Sequence, residues 1–222
     1  MSKRIVIFSH GFGVRRDSRG TFTEIAAALP RGVRPVLFDY NRYVAKTNRL
    51  AVTPLSRQVV KLRRVIARVQ EQHPGAVIDL VCHSQGCIAA GLAKPRGLRN
   101  IILLAPPASL NIQKMADIFA YRPGAHLNVH GQSLFPRRDG STTVVPRTFW
   151  PDLINLDPIA LYNQLATITH VVAINAHQDE ILGATDFAGL SPDIRVIGIE
   201  AGHDFTSQAR PELLAAVLKE LS

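Results

Sequence analysis

Acidic side chains are in short supply. Seventeen Asp and Glu stand against 26 Lys and Arg, for a formal net charge of +9. Such a balance raises the question of an anionic partner. The densest basic stretch is LSRQVVKLRRVIARVQ, where Arg57, Lys61, Arg64 and Arg68 recur at helical spacing. Val60, Leu62, Val65, Ile66 and Val69 occupy the rest of that helix, so the basic residues read as a solvated face. No aromatics interleave with them and no nucleic-acid module is visible, so no specific nucleic-acid partner is expected. Salt-sensitive adhesion to polyanions is the most that this charge implies.

Cysteine is nearly absent as well. Cys82 and Cys87 are the only two, and both fall on one continuous strand-turn-helix, which excludes a structural disulfide framework. They read as reduced thiols of a cytoplasmic protein. No run approaches the ~18 consecutive apolar residues of a membrane span, so no membrane association is expected. The apolar run in MSKRIVIFSHGFG is too short for a secretory leader and enters a glycine turn. The histidines are scattered, the cysteines lack a second pair, and no H-E-x-x-H occurs, so no metal site is implied. The loop GFGVRRDSRG lacks the spacing of a phosphate cradle, and no G-K-S/T follows. No cofactor is expected.

What is present is an ordinary globular composition, 46% hydrophobic and 19% charged, which is too apolar for disorder. The 222 residues fit one α/β domain with a small insertion. Apolar β-rich runs alternate with helical patterns. RIVIFSH, PVLFDY, AVIDLVCH, NIILLAPP, HVVAINA and IRVIGIE read as strands. TFTEIAAALP, PLSRQVVKLRRVIARVQEQH, QGCIAAGLA, DPIALYNQLA and ARPELLAAVLKEL read as helices. In the first helix, Thr21 and Glu24 form a candidate capping box. In the second, proline stands in the first turn. Short, almost wholly apolar strands between helices predict a mostly parallel sheet of about six strands covered on both faces.

One interval, about 109–165, breaks the alternation. It holds a candidate helix around 112–119, then a hairpin: HLNVHGQSLF, a PRRDGS turn, and TTVVP. A loop of this length carries structure of its own and often a function. It is expected to form a small cap over the carboxyl edge of the sheet, within a single domain spanning 1–222.

In open α/β sheets, ligands bind beyond the carboxyl ends of the strands. Four polar clusters fall there: SHGFG, CHSQG, NAHQDEILG and EAGHDF. Within CHSQG, Ser84 sits between a strand and a helix, where a strained turn would expose its oxygen at the helix amino end. Gly86 is one of the small residues such a turn needs. Cys82 is small too, but it has a Cβ.

From these clusters the chain resembles the α/β-hydrolase superfamily along nearly its whole length, including the order Ser, Asp, His. The usual elbow pattern has glycine where Cys82 stands. The resemblance implies Ser84 as nucleophile, His203 as general base and Asp179 as the acid that orients His203. It implies the backbone N–H groups of Phe12 and Gln85 as oxyanion donors. Glu180 is the nearest rival to Asp179, with Asp157 and Asp204 as weaker ones. His10 is expected to be structural, His83 to position the elbow backbone, and His177 to flank the acid loop without chemistry.

A serine nucleophile fits cleavage of a carboxylic ester through an acyl-enzyme. The HGFG loop, CHSQG elbow, HQDE segment and modest cap resemble small carboxylesterases, and more loosely the feruloyl/cinnamoyl esterase group. A thioesterase, peptidase or acyltransferase would use the same residues. A non-catalytic ligand- or protein-binding member of the fold is the reading from a different class. The expected partner is a small-molecule ester, and the expected assembly is a monomer or small homo-oligomer. Phe12, Phe135, Phe149, Trp150 and Tyr162 are candidate pocket walls. Arg15, Arg16, Arg19, Arg137 and Arg138 are candidates for a basic rim.

Overall fold

The computed structural model describes residues 3–113, 117, 123–137 and 139–222. Its main sheet has six parallel strands: β1 (Arg4–Ser9), β2 (Val33–Leu37), β5 (Val77–His83), β6 (Asn100–Leu104), β9 (His170–Ala176) and β10 (Arg195–Ile199). The order is β10-β9-β6-β5-β1-β2. β1, β5, β6 and β9 are buried along nearly their whole length, which is why they read as unbroken apolar runs rather than as alternating ones. Pro35 lies in β2, an edge strand, where a missing N–H is tolerated.

Side-chain alternation divides the core into two layers. Ile5 and Ile7, Leu80 and Cys82, Ile101 and Leu103, and Val171 and Ala173 point to one face. There they meet α2 (Leu55–Gln72), α3 (Gln85–Ala93) and α4 (Pro158–Ala166). Val6 and Phe8, Val81, Ile102 and Leu104, and Val172 and Ile174 point to the other. That face is covered by α1 (Thr21–Ala28) and α5 (Ala209–Leu221). α2 buries Leu55, Val59, Leu62, Ile66 and Val69 and leaves Arg57, Lys61, Arg64 and Arg68 in solvent, as the periodicity predicts.

An ion pair with one fully buried partner ties the sheet to the last helix. Arg99 donates from Nε and Nη2 to the two carboxylate oxygens of Asp79, at 2.9 and 2.8 Å. It also donates to the carbonyls of Leu221 and Ser222. Asp79 is fully buried in β5, and its fork-like pairing with Arg99 raises the guanidinium pKa.

A second sheet has the order β3-β4-β8-β7. β7 (Ser133–Pro136) and β8 (Thr142–Val145) form the hairpin expected within 109–165. β3 (Arg42–Val44) and β4 (Arg49–Ala51) form a second hairpin, which the sequence reading missed, and β4 pairs with β8 in parallel. Three-residue strands are too short to show periodicity.

Two further expectations need correction. Thr21 does not cap α1: the cap residue is Gly20 at φ 93°, with no side-chain capping bond. Thr21 Oγ1 and Glu24 instead reach the Asp204 carbonyl and Arg210. Pro54 is the cap residue of α2 rather than a member of its first turn. The helix expected at 112–119 falls largely outside the described residues, as does Arg138.

Candidate active site

The order of the main sheet places the site. From β1 the chain first moves to β2 on one side, then returns through β5, β6, β9 and β10 on the other. The loops leaving β1 and β5 therefore diverge, and a crevice opens between them. SHGFG leaves β1 and CHSQG leaves β5, so sequence order alone brings both clusters to this crevice.

The turn from β5 into α3 is tight. Ser84 adopts φ 53° and ψ −123°, a conformation rare outside glycine. A Cβ at Gly86 would come within 2.1 Å of the Ser9 carbonyl oxygen, so no side chain fits there. A Cβ at Gly11 would lie 3.1 Å from the Cβ of Ser84, which shows how closely the loop after β1 approaches the serine. Cys82 answers to a different demand. It is fully buried in the apolar layer with Cys87, Tyr40 and Leu103, and burial raises its thiol pKa. The close approaches are at Gly86 and Gly11, while position 82 fills core.

The three residues singled out from the sequence meet at this turn. His203 Nε2 lies 2.9 Å from Ser84 Oγ, and its Nδ1 lies 2.7 Å from Asp179 Oδ2. All three side chains are buried. A carboxylate only accepts, so Nδ1 carries the proton and Nε2 is left to accept from the serine hydroxyl. Asp179 Oδ1 accepts from the N–H groups of Ile181 and Leu182, at 2.9 and 2.7 Å, which fixes its second oxygen away from the histidine.

The rival acids are engaged elsewhere. Glu180 Oε2 accepts from the main-chain N–H of His203 at 3.0 Å. Asp157 caps α4 by accepting from the Ala160 N–H. Asp204 pairs with Arg19 at 2.5 Å. Burial would push the Asp204 carboxyl up, but the charges of His83, Arg19 and His203 outweigh it and hold the pKa below the usual range.

His10 accepts the Tyr40 N–H at Nε2 and donates from Nδ1 to the Gly11 carbonyl, so it fastens the loop after β1, as expected. Burial lowers its pKa. His83, expected to position the elbow backbone, bonds Ser18 and the loop of His203 instead. Its Nε2 donates to the His203 carbonyl at 3.0 Å, which leaves Nδ1 to accept from Ser18 Oγ at 3.1 Å. Burial, and then the neighbouring His203, push its pKa down to about 4. His177 is exposed and bonds Glu200.

Ser84 opens into a cleft of about 1130 Å³. Gly11, Phe12, Phe149, Leu153 and Leu182 line it, and Tyr43, Asn48 and Leu50 reach it from β3, β4 and the turn between them. Of the candidate aromatic walls, Phe12 and Phe149 border the cleft, Phe149 as a fully buried side chain beneath it, while Phe135, Trp150 and Tyr162 are core and do not line it. Tyr162 donates to the Pro107 carbonyl. Arg15, Arg19 and Arg137 line the cleft, but so do Asp17, Asp139, Glu180 and Asp204, so its rim is of mixed charge rather than basic. Arg16 lies beside Asp39 instead. Gln85 is the first residue of α3, so its N–H has no partner in a preceding helical turn. Among the described residues, no group of three or more His, Cys, Asp or Glu is placed to hold a metal ion. No helix there is long and apolar enough to cross a membrane.

A family model described as "Alpha/beta hydrolase family" matches residues 6–217. Among solved structures, Est1E from Butyrivibrio proteoclasticus, with ferulic acid bound, superposes with a TM-score of 0.71 at 15% identity, covering 99% of this chain and 88% of that one. The esterase domain of a Rhodothermus marinus protein gives 0.66 at 14% identity, over 99% and 87%. An esterase from Pyrococcus furiosus gives 0.65 at 15% identity, over 99% and 81%. At these identities the likeness is one of fold. No curated protein matches the sequence.

Proposed function

Because the chain belongs to the alpha/beta hydrolase family, its model spanning residues 6–217, we propose that it is a serine hydrolase that cleaves carboxylic esters of small molecules. The observation that carries this reading is the hydrogen-bonded series Asp179–His203–Ser84, ending on a positive-φ serine at the floor of a cleft.

Ser84 Oγ attacks the ester carbonyl as His203 Nε2 takes its proton. Asp179, held by two main-chain N–H groups, stabilises the resulting imidazolium. The negative charge that builds on the carbonyl oxygen is met by the N–H groups of Gln85 and Phe12. Collapse of the tetrahedral species expels the alcohol, which receives the proton from His203, and leaves the acyl group on Ser84. Water then attacks, His203 takes its proton and returns it to Ser84, and the carboxylic acid departs.

In this reading the second sheet is the cap. It brings Tyr43, Asn48, Leu50 and Arg137 against the cleft and so shapes the space for the ester's two halves. Three of those four residues come from the 42–51 segment, so the cap extends beyond 109–165.

A panel of p-nitrophenyl esters of increasing acyl length, run beside Ser84→Ala, tests the proposal. A fluorophosphonate probe should label Ser84 in the same samples. Turnover and labelling that both disappear in Ser84→Ala support it. Folded wild-type protein that neither turns over any ester nor takes the label overturns it.

A further inference from the structure

His203 stands in the loop between β10 and α5, where neither a ladder nor a helix fixes its peptide groups. Phe205 and Ser207, just beyond it, have φ of 48° and 58°, so the loop takes an irregular path. Yet every polar group of His203 has a partner. Its ring meets Ser84 and Asp179. Its N–H donates to Glu180 Oε2, and its C=O accepts from His83 Nε2, each at 3.0 Å. The four partners form two dipeptides. His83–Ser84 and Asp179–Glu180 each hold the histidine twice, once at the ring and once at the main chain.

We propose that His83 and Glu180 are positioning residues for His203, holding its peptide groups so that its ring stands between Ser84 and Asp179. The inference rests on the hydrolase reading given above. A small displacement of the His203 main chain moves Nε2 off the serine hydroxyl, and such misplacements weaken catalysis steeply. The His83 arm is the firmer one. His83 is buried, and a buried carbonyl deprived of its donor is strongly disfavoured. Ser18, itself buried, donates to Nδ1 and selects the tautomer that keeps the proton on Nε2. Glu180 is exposed and anchors the other side with a charged acceptor. The next peptides are held separately, by Arg210 on the carbonyls of Asp204 and Phe205, so the hold on His203 itself falls to these two residues.

Four variants separate this role from a merely structural one. His83→Gln keeps an N–H donor and His83→Leu removes it. Glu180→Gln keeps an acceptor and Glu180→Ala removes it. With p-nitrophenyl acetate, His83→Leu and Glu180→Ala should lower kcat by roughly 10- to 100-fold with little change in KM. The Gln variants should retain most of wild-type kcat. The low-field proton NMR resonance of His203 Nδ1–H should shift or broaden in His83→Leu and Glu180→Ala and stay in place in the Gln variants. Should His83→Leu fail to fold, the exposed Glu180 pair still decides the matter. A fall in Tm alone, with kcat and the resonance at wild-type values, overturns the proposal. Wild-type protein with no turnover on the ester panel and no labelling of Ser84 would overturn the hydrolase reading instead, and the resonance would still judge the positioning role.

Discussion

The carbonyl oxygen of Ser9 occupies the space that a side chain at position 86 would need, 2.1 Å from where its Cβ would sit. The end of β1 and the start of α3 thus press together, and this contact orients the turn that carries Ser84. Ser9 also uses its hydroxyl here, donating to the Gly86 carbonyl at 3.1 Å with Tyr40 Oη 2.8 Å away.

Gly86→Ala should therefore cost more than Cys82→Gly, although Cys82 is the residue that departs from the usual elbow pattern. An alanine at 86 must push the two elements apart, and kcat should fall sharply or the protein should fail to fold. Cys82→Gly removes a buried side chain and adds a flexible residue to a central strand. It should lower stability by about 2 kcal/mol and leave kcat within a few-fold of wild type. Denaturant melts and ester kinetics on the two variants check the order. A dead but stable Cys82→Gly protein would mean that the thiol takes part in the chemistry.

Ser84→Ala and His203→Ala should each lower kcat by about 10⁴-fold or more, and the double variant should lose scarcely more than either single one. Asp179→Asn should also be severe, because an amide can donate to Nδ1 and favour the wrong tautomer. Glu180→Gln should be mild by comparison. Severe loss in Glu180→Gln with near-normal activity in Asp179→Asn would reverse the two assignments.

That the clusters holding Ser84, Asp179 and His203 would meet was legible in the sequence because each follows an apolar strand of a parallel sheet; which residue to choose within each came from the resemblance to the α/β-hydrolase superfamily. Strand ends on one edge converge whatever lies between them. The central strands were legible for a related reason: burial on both faces forces unbroken apolar runs such as NIILL and HVVAINA. The second sheet was only half visible. β3 and β4 have three residues each and turn through Asn48 at φ 48°; they pair with each other, and only β4 joins them to β8. No local pattern can announce a partner more than 90 residues away in sequence. The roles of His83 and Glu180 were hidden for a similar reason. Each bonds the main chain of a distant residue, and main-chain partners leave no trace in residue type.

Asp79 and Arg99 sit where β5 and β6 begin, while Ser84 follows the end of β5, so their pairing should matter for stability rather than for turnover. Arg99→Ala leaves a fully buried carboxylate without its partner and frees the carbonyls at the end of α5. It should destabilise the fold by about 3 kcal/mol or more. Kinetic constants of the folded fraction should be unchanged. A change in Tm below a few degrees would show that water reaches Asp79.

The buried histidines set the acid limit. His83 is held near pKa 4 in the folded protein, against about 6.5 in an unfolded chain, and His10 is lowered in the same direction. Between these values the unfolded state binds more protons than the folded one, so stability rises with pH there. The contribution is fully present above about pH 6.5 and is lost progressively as pH falls toward 4. Asp204, Asp179 and His203 all act on His83, and charging it would place a second cation beside the imidazolium that the proposed mechanism assigns to His203. Unfolding free energy measured between pH 7 and 4 should fall more steeply in wild type than in His83→Gln, which keeps the donor to His203 but cannot titrate. Equal slopes in the two proteins would mean that His83 is not kept neutral by burial.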